Sequence, residues 1–127
     1  MQQYHKSHNK KVSAGTGGKR LASMDKRRAH VGGVFTNTKV ADNDQREQKR
    51  IRGGNKRVRL KRAAFANVRN KSGKIVKTKI LGVVESHNPE YVRGNIITKG
   101  AIVNTELGKV RVTNRVGQDG IVNGVIV

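Results

Sequence analysis

Apolar residues are spread unevenly along this chain, and where they recur they do so mostly at every second position. The run Lys56-Arg57-Val58-Arg59-Leu60-Lys61-Arg62 alternates. On an extended backbone Val58 and Leu60 fall on one side and Arg57, Arg59 and Lys61 on the other, the period-two signature of a half-buried strand. Leu60 and Ala64 also stand at helical spacing, so a helix over residues 56–69 competes; the alternation favours the strand. Residues 34–40 are rich in β-formers and read as a strand, whereas residues 42–48, polar and carrying three acids, read as a loop or single turn. Asn70-Lys71-Ser72-Gly73 is a turn leading into a long strand over 74–84, with Lys77 and Lys79 outward. Asn88-Pro89 marks another turn, followed by a short strand over 91–98 that Lys99-Gly100 closes. Residues 101–105 and 109–113 frame Glu106-Leu107-Gly108 as a hairpin, with Val110 and Val112 on one face. Gly117-Gln118-Asp119-Gly120 then turns into a final strand over 121–127. Short strands with Gly-rich turns at roughly 8–12-residue spacing predict a mainly β fold. A small six- to seven-stranded β-barrel with an extended basic N-terminal arm is the expected architecture.

Ahead of residue 34 this patterning is missing. Residues 1–33 hold only Val12, Val31 and Leu21 as larger aliphatic residues beyond Met. Such a segment does not bury enough apolar area to offset roughly 1–2 kcal/mol of backbone entropy per ordered residue. The expected organisation is therefore a basic, Gly-rich arm over 1–33, with a short helix over 21–30 at most, and a barrel domain over 34–127. The 127 residues allow one domain of ordinary size.

Charge sharpens the division. The chain carries a net charge of +20. Up to Lys79, 23 Lys and Arg stand against four acids; from Ile80 onward, five stand against four. Positive charge at this density is the footprint of a polyanion partner, because each Lys or Arg placed on a phosphate releases a condensed counterion. The sharpest element is Arg52-Gly53-Gly54-Asn55, flanked by Lys49-Arg50 and Lys56-Arg57. Two glycines let backbone approach a phosphate, Asn tolerates a left-handed turn, and arginine forks can clamp phosphate oxygens. A solvated basic loop would have the same composition. The continuation of charge along Arg57, Arg59 and Lys61 favours nucleic-acid contact. The candidate RNA-binding residues are Lys19, Arg20, Lys26, Arg27 and Arg28 in the arm, and Arg50, Arg52, Lys56, Arg57, Arg59 and Lys61 in the cluster. Gly53, Gly54 and Asn55 would set its turn.

Other chemistries find little support. Gly15-Thr16-Gly17-Gly18-Lys19-Arg20 looks superficially like a phosphate loop, but no strand-like run precedes it and Arg20 occupies the place of the metal-binding hydroxyl. With no cysteine, and with His5, His8, His30 and His87 as the only histidines, neither a disulfide nor a metal site is expected. Glu85 and Glu90 flank a turn without framing a catalytic pair, so no enzyme, cofactor or small-molecule substrate is expected. The opening residues lack the apolar stretch of a signal peptide, and no apolar run approaches the ~18 residues of a membrane span, so a soluble protein without a membrane partner is expected. The only aromatics are Tyr4, Phe35, Phe65 and Tyr91, so base stacking is expected to be a minor term beside phosphate and shape contact.

Five segments together resemble a known family. They are Thr16-Gly17-Gly18-Lys19-Arg20 with Lys26-Arg27-Arg28 and Gly32; Arg50-Ile51-Arg52-Gly53-Gly54-Asn55-Lys56; Thr78-Lys79-Ile80-Leu81-Gly82-Val83-Val84; Ile97-Thr98-Lys99-Gly100-Ala101-Ile102-Val103; and Val112-Thr113-Asn114-Arg115-Val116-Gly117-Gln118-Asp119-Gly120. In this order they resemble the small-subunit ribosomal protein eight family of archaea and eukaryotes, in its compact archaeal form. His30 and Val31 depart from it, standing where the family usually carries an acidic residue and a leucine. The resemblance implies a non-enzymatic structural protein of the cytoplasmic ribosome, in its 30S subunit. It also implies a β-barrel core, an arm on small-subunit ribosomal RNA (rRNA), and neighbouring small-subunit ribosomal proteins as partners. A free-standing nucleic-acid chaperone or chromatin-type protein is the alternative that composition leaves open.

Overall fold

The structure, a computed structural model, describes residues 15–18, 30–51 and 53–127. The chain divides between Phe35 and Thr36, and all the regular elements below belong to the second part. Arg52, the expected arm residues Lys19, Arg20, Lys26, Arg27 and Arg28, His5 and His8, and nearly all of the expected helix over 21–30 lie outside the described residues.

Two sheets make up this part. Strands β1 (Lys39–Val40), β2 (Gln45–Arg50) and β3 (Lys56–Ala63) form a three-stranded sheet in the order β1-β3-β2. Strands β4 (Phe65–Arg69), β5 (Ile75–Glu85), β6 (Ile102–Thr105), β7 (Gly108–Val112) and β8 (Asn123–Ile126) close into a barrel. Two short helices interrupt the strands, α1 (Pro89–Arg93) and α2 (Val116–Asp119). The expected six- to seven-stranded barrel is thus corrected to five strands, with a separate sheet beside it. Hydrophobic alternation marks a strand but not the sheet it joins.

Barrel closure rests on one parallel pairing. β4 runs parallel to β8, with Asn67 opposite Asn123 and Arg69 opposite Val125, while every other barrel pairing is antiparallel. Closing the sheet leaves no open edge in the barrel. Inside lie Ala66, Val68, Ile80, Val103, Val110 and Val112, all buried. The small residues matter as much as the large ones. At Gly124 of β8 an added Cβ would run into the Val110 side chain and come 2.9 Å from the Arg111 carbonyl oxygen, so only glycine lets β8 lie against β7 there.

The two sheets meet at a short seam. Only Ala64 separates β3 from β4, and Ala63 and Ala64 are fully buried. The Ala64 N–H donates to Asp44 Oδ1 at 2.7 Å, and its carbonyl accepts from the Ile80 N–H at 2.8 Å. The backbone thus passes from one sheet to the other with its polar groups satisfied. Leu60 of β3 joins the common core, and the Thr38 hydroxyl donates to its carbonyl at 2.6 Å.

Several expected elements change. The strand over 34–40 shrinks to β1. The expected loop over 42–48 is largely β2, a strand without a single apolar residue. β4 was not anticipated as a strand at all. The expected strand over 91–98 is replaced by α1 and the loop after it. Asn88 caps α1, its Oδ1 accepting from the Glu90 N–H at 3.0 Å, Pro89 opens the helix, and Gly94 ends it. These are ordinary helix start and stop signals, so Asn88-Pro89 begins a helix rather than a plain turn. The expected turn over 117–120 is largely α2, which Gly120 terminates with φ +75°, and the final strand shortens to β8.

Candidate nucleic-acid interface

β2 and β3 form an antiparallel hairpin, and its register sorts the cationic cluster into two faces. Lys49 stands opposite Arg57, and Glu47 opposite Arg59; alternation puts Lys61 on that same face. The other face carries Arg50 opposite Lys56, then Gln48 opposite Val58 and Arg46 opposite Leu60. This second face turns inward as it approaches the core. Leu60 is buried, and the Arg46 guanidinium donates through Nε to the Gly120 carbonyl at 2.8 Å while also pairing with Asp44 at 3.0 Å. The alternation read from the sequence is therefore the alternation in space.

At the hairpin end the backbone does what the glycine pair requires. Gly53 has φ +86° and Gly54 φ +83°, a region that side chains with a Cβ rarely enter. The Ile51 N–H donates to the Asn55 carbonyl at 2.8 Å, and the Gly54 N–H to the Ile51 carbonyl at 3.3 Å. Gly53, Gly54 and Asn55 are exposed, as are Arg50, Lys56 and Arg57. The turn therefore brings Arg50, Lys56, Arg57 and Lys49 to one end of the ribbon.

The acids near this ribbon neutralise only part of it. Lys61 Nζ pairs with Glu47 at 3.3 Å, and Lys79 Nζ with Asp42 at 3.6 Å. Both pairs are open to solvent, where such contacts contribute about 0–1 kcal/mol and screen with salt. Of the candidate cluster, the structure brings together Arg50, Lys56 and Arg57 with the turn residues, and it places Lys61 in an ion pair further along. Lys49, outside the expected set, stands beside them on β2, the strand that the acids at 42, 44 and 47 disguise as a loop.

Among the described residues no cluster of His, Asp and Glu could hold a metal ion, and no helix is long and apolar enough to cross a membrane. Residues 15–18 are an exposed bend in which the Gly18 N–H reaches Thr16 Oγ1 at 3.4 Å.

A closed five-stranded barrel with a basic β-ribbon beside it defines a class of small β proteins that display charge on a rigid frame. Comparison with known proteins narrows the class to a family. Residues 5–127 match the family described as Ribosomal protein S8e. Small ribosomal subunit protein eS8 of Staphylothermus marinus is 49% identical over 113 residues, covering 87% of this chain and 88% of that protein. The eS8 protein of Sulfolobus acidocaldarius is 43% identical over 128 residues, covering 99% and 98%. That of Hyperthermus butylicus is 46% identical over 126 residues, covering 98% and 91%. The chain belongs to the S8e family of ribosomal proteins, with archaeal relatives along nearly its whole length, and is a structural protein rather than an enzyme.

Proposed function

We propose that this protein is a structural constituent of the small ribosomal subunit in the cytoplasm, holding folded small-subunit rRNA through phosphate contacts. Two devices make those contacts. One is the arm over 1–33, through Lys19, Arg20, Lys26, Arg27 and Arg28. The other is the hairpin, through Arg50, Arg52, Lys56, Arg57, Arg59 and Lys61, with Gly53, Gly54 and Asn55 shaping its end. The barrel holds the hairpin in place, and neighbouring small-subunit ribosomal proteins complete its surroundings.

The observation that carries this reading is the pairing at the hairpin end. Lys49 faces Arg57 and Arg50 faces Lys56 in consecutive register positions. Like charges directly opposite each other destabilise a bare ribbon. A polyanion lying along them reverses the sign of that term, because each cation then faces phosphate. The relatives, all called small ribosomal subunit protein eS8, supply the particle.

Sedimentation of native extract tests it: the protein should travel with small-subunit particles and leave them at high salt. A protein that runs free at low salt would instead fit a free-standing nucleic-acid chaperone. The division of labour has its own test in a fragment beginning at Val34. It should stay folded, yet bind structured RNA more weakly and with a shallower salt dependence; an unfolded fragment would make the arm part of the core.

A further inference from the structure

Phe65 is misplaced if the barrel is only a frame. It lies on the outward side of β4, since Ala66 and Val68 take the inward positions, and it remains 38% exposed. Asn67 is the next outward residue. The register puts Lys79 opposite Phe65, and sets Asn67 between Lys77 on β5 and Asn123 on β8. Lys77 Nζ sits 4.5 Å from the Phe65 ring centroid, and Asn67 Nδ2 donates to Asn123 Oδ1 at 3.2 Å. Phe65, Asn67 and Lys77 line a cleft of about 150 Å³ at the seam of the two sheets, together with Leu60, Arg46 and the Asp44 carboxylate that Arg46 neutralises.

The size and chemistry of this cleft are selective. Pockets for drug-sized ligands and cofactors run to about 300–1,000 Å³, so this one suits a single planar heterocycle. Recognition of an unstacked base uses a ring to lie on, amide groups for the base edge and a cation for the phosphate. All three stand here on adjacent strands. The bond to Asn123 uses one N–H of Asn67 Nδ2, which leaves the other N–H as a donor and Asn67 Oδ1 as an acceptor.

We propose that this cleft seats one unpaired RNA nucleotide, its base on Phe65, its edge on the Asn67 amide that Asn123 orients, and its phosphate on Lys77. The Lys77 ammonium is held over the ring by an exposed cation–π contact, and it passes to the phosphate as the base enters. The proposal rests on the RNA-binding reading and adds to it a specificity: the hairpin grips any phosphate backbone, whereas the cleft selects an extruded base.

Three RNA duplexes of equal charge test it with the full chain: one fully paired, one with a single bulged adenosine, and one with an abasic bulge at the same place. The adenosine bulge should bind on the order of tenfold tighter than the other two, as stacking of one base on an aromatic side chain implies. Phe65→Leu should erase that preference and leave affinity for the paired duplex unchanged. Asn67→Asp, which keeps the side-chain shape, should reduce the preference as a second check, while Arg57→Ala should weaken all three RNAs alike. Equal affinity of the unaltered protein for the three RNAs overturns the cleft and leaves it to a protein side chain. A preference that survives Phe65→Leu overturns it as well. If none of the three is bound with a steep salt dependence, the RNA-binding reading falls first and the cleft falls with it.

Discussion

β2 and β8 are both short strands paired to a neighbour, yet opposite forces hold them. β8 packs buried Gly124 against Val110, and its place is set by how little room the barrel interior leaves. β2 buries nothing: all six of its residues are exposed, and its ladder to β3, two contacts of Arg46 and the exposed Glu47–Lys61 pair tie it down. A charged edge strand is a familiar protection against strand-to-strand aggregation. Protection alone does not call for like charges facing each other twice at the ribbon end. The barrel is held by its own packing, whereas the end of the hairpin sets like charges against each other.

Gly124→Ala should break the barrel side of this contrast most severely. Neither the Val110 side chain nor the Arg111 backbone can withdraw cheaply, so the expected loss is at the upper end of overpacking costs, about 3 kcal/mol, read as a lowered urea midpoint. An unchanged midpoint would mean the interior yields more than its packing suggests. Gly53→Val acts on the other side. Open space surrounds that position, so no clash arises, but forcing a β-branched residue to φ +86° should cost on the order of 1–3 kcal/mol. Affinity for a fully paired RNA should fall further than in Lys77→Ala; equal losses would deny the turn its special role.

Arg57→Ala sharpens the comparison by moving two quantities in opposite directions. Removing one member of an opposed cationic pair should raise stability by about 0.2–1 kcal/mol. The slope of log affinity against log salt should become shallower by about one. A loss of both stability and affinity would show that Arg57 serves the fold. Smallest of all, Glu47→Gln should cost less than about 1 kcal/mol in thermal unfolding, because its pair with Lys61 is exposed. A larger loss would make the ribbon depend on its acids.

The sequence was most legible where one physical cause acted alone. The strict alternation in residues 57–61 identified β3 and its charged face, and the β6–β7 hairpin was plain from its valines. β2 was hidden because nothing apolar marks it; its strand geometry comes from pairing, which leaves no periodic trace. β4 was hidden for the opposite reason. Its inward positions begin with Ala66 beside Ala63 and Ala64, residues small enough to let two sheets join and too small to signal a core. The strand expected over 91–98 gave way to α1 because Asn88-Pro89-Glu90 carries a helix cap, and Ile96 and Ile97 are buried in the loop that follows. For the site, the residue types were readable and their partners were not. That Lys49 faces Arg57, or that Glu47 reaches Lys61, depends on register.

The parallel ladder between β4 and β8 has a consequence in time. Asn67 meets a residue 56 positions further along the chain, so as the protein is synthesised the barrel stays open until β8 has been made. The β2–β3 ribbon needs only its own short turn, and contacts so close in sequence form early. During synthesis the charged ribbon can therefore take shape while the frame that will hold it is still unclosed.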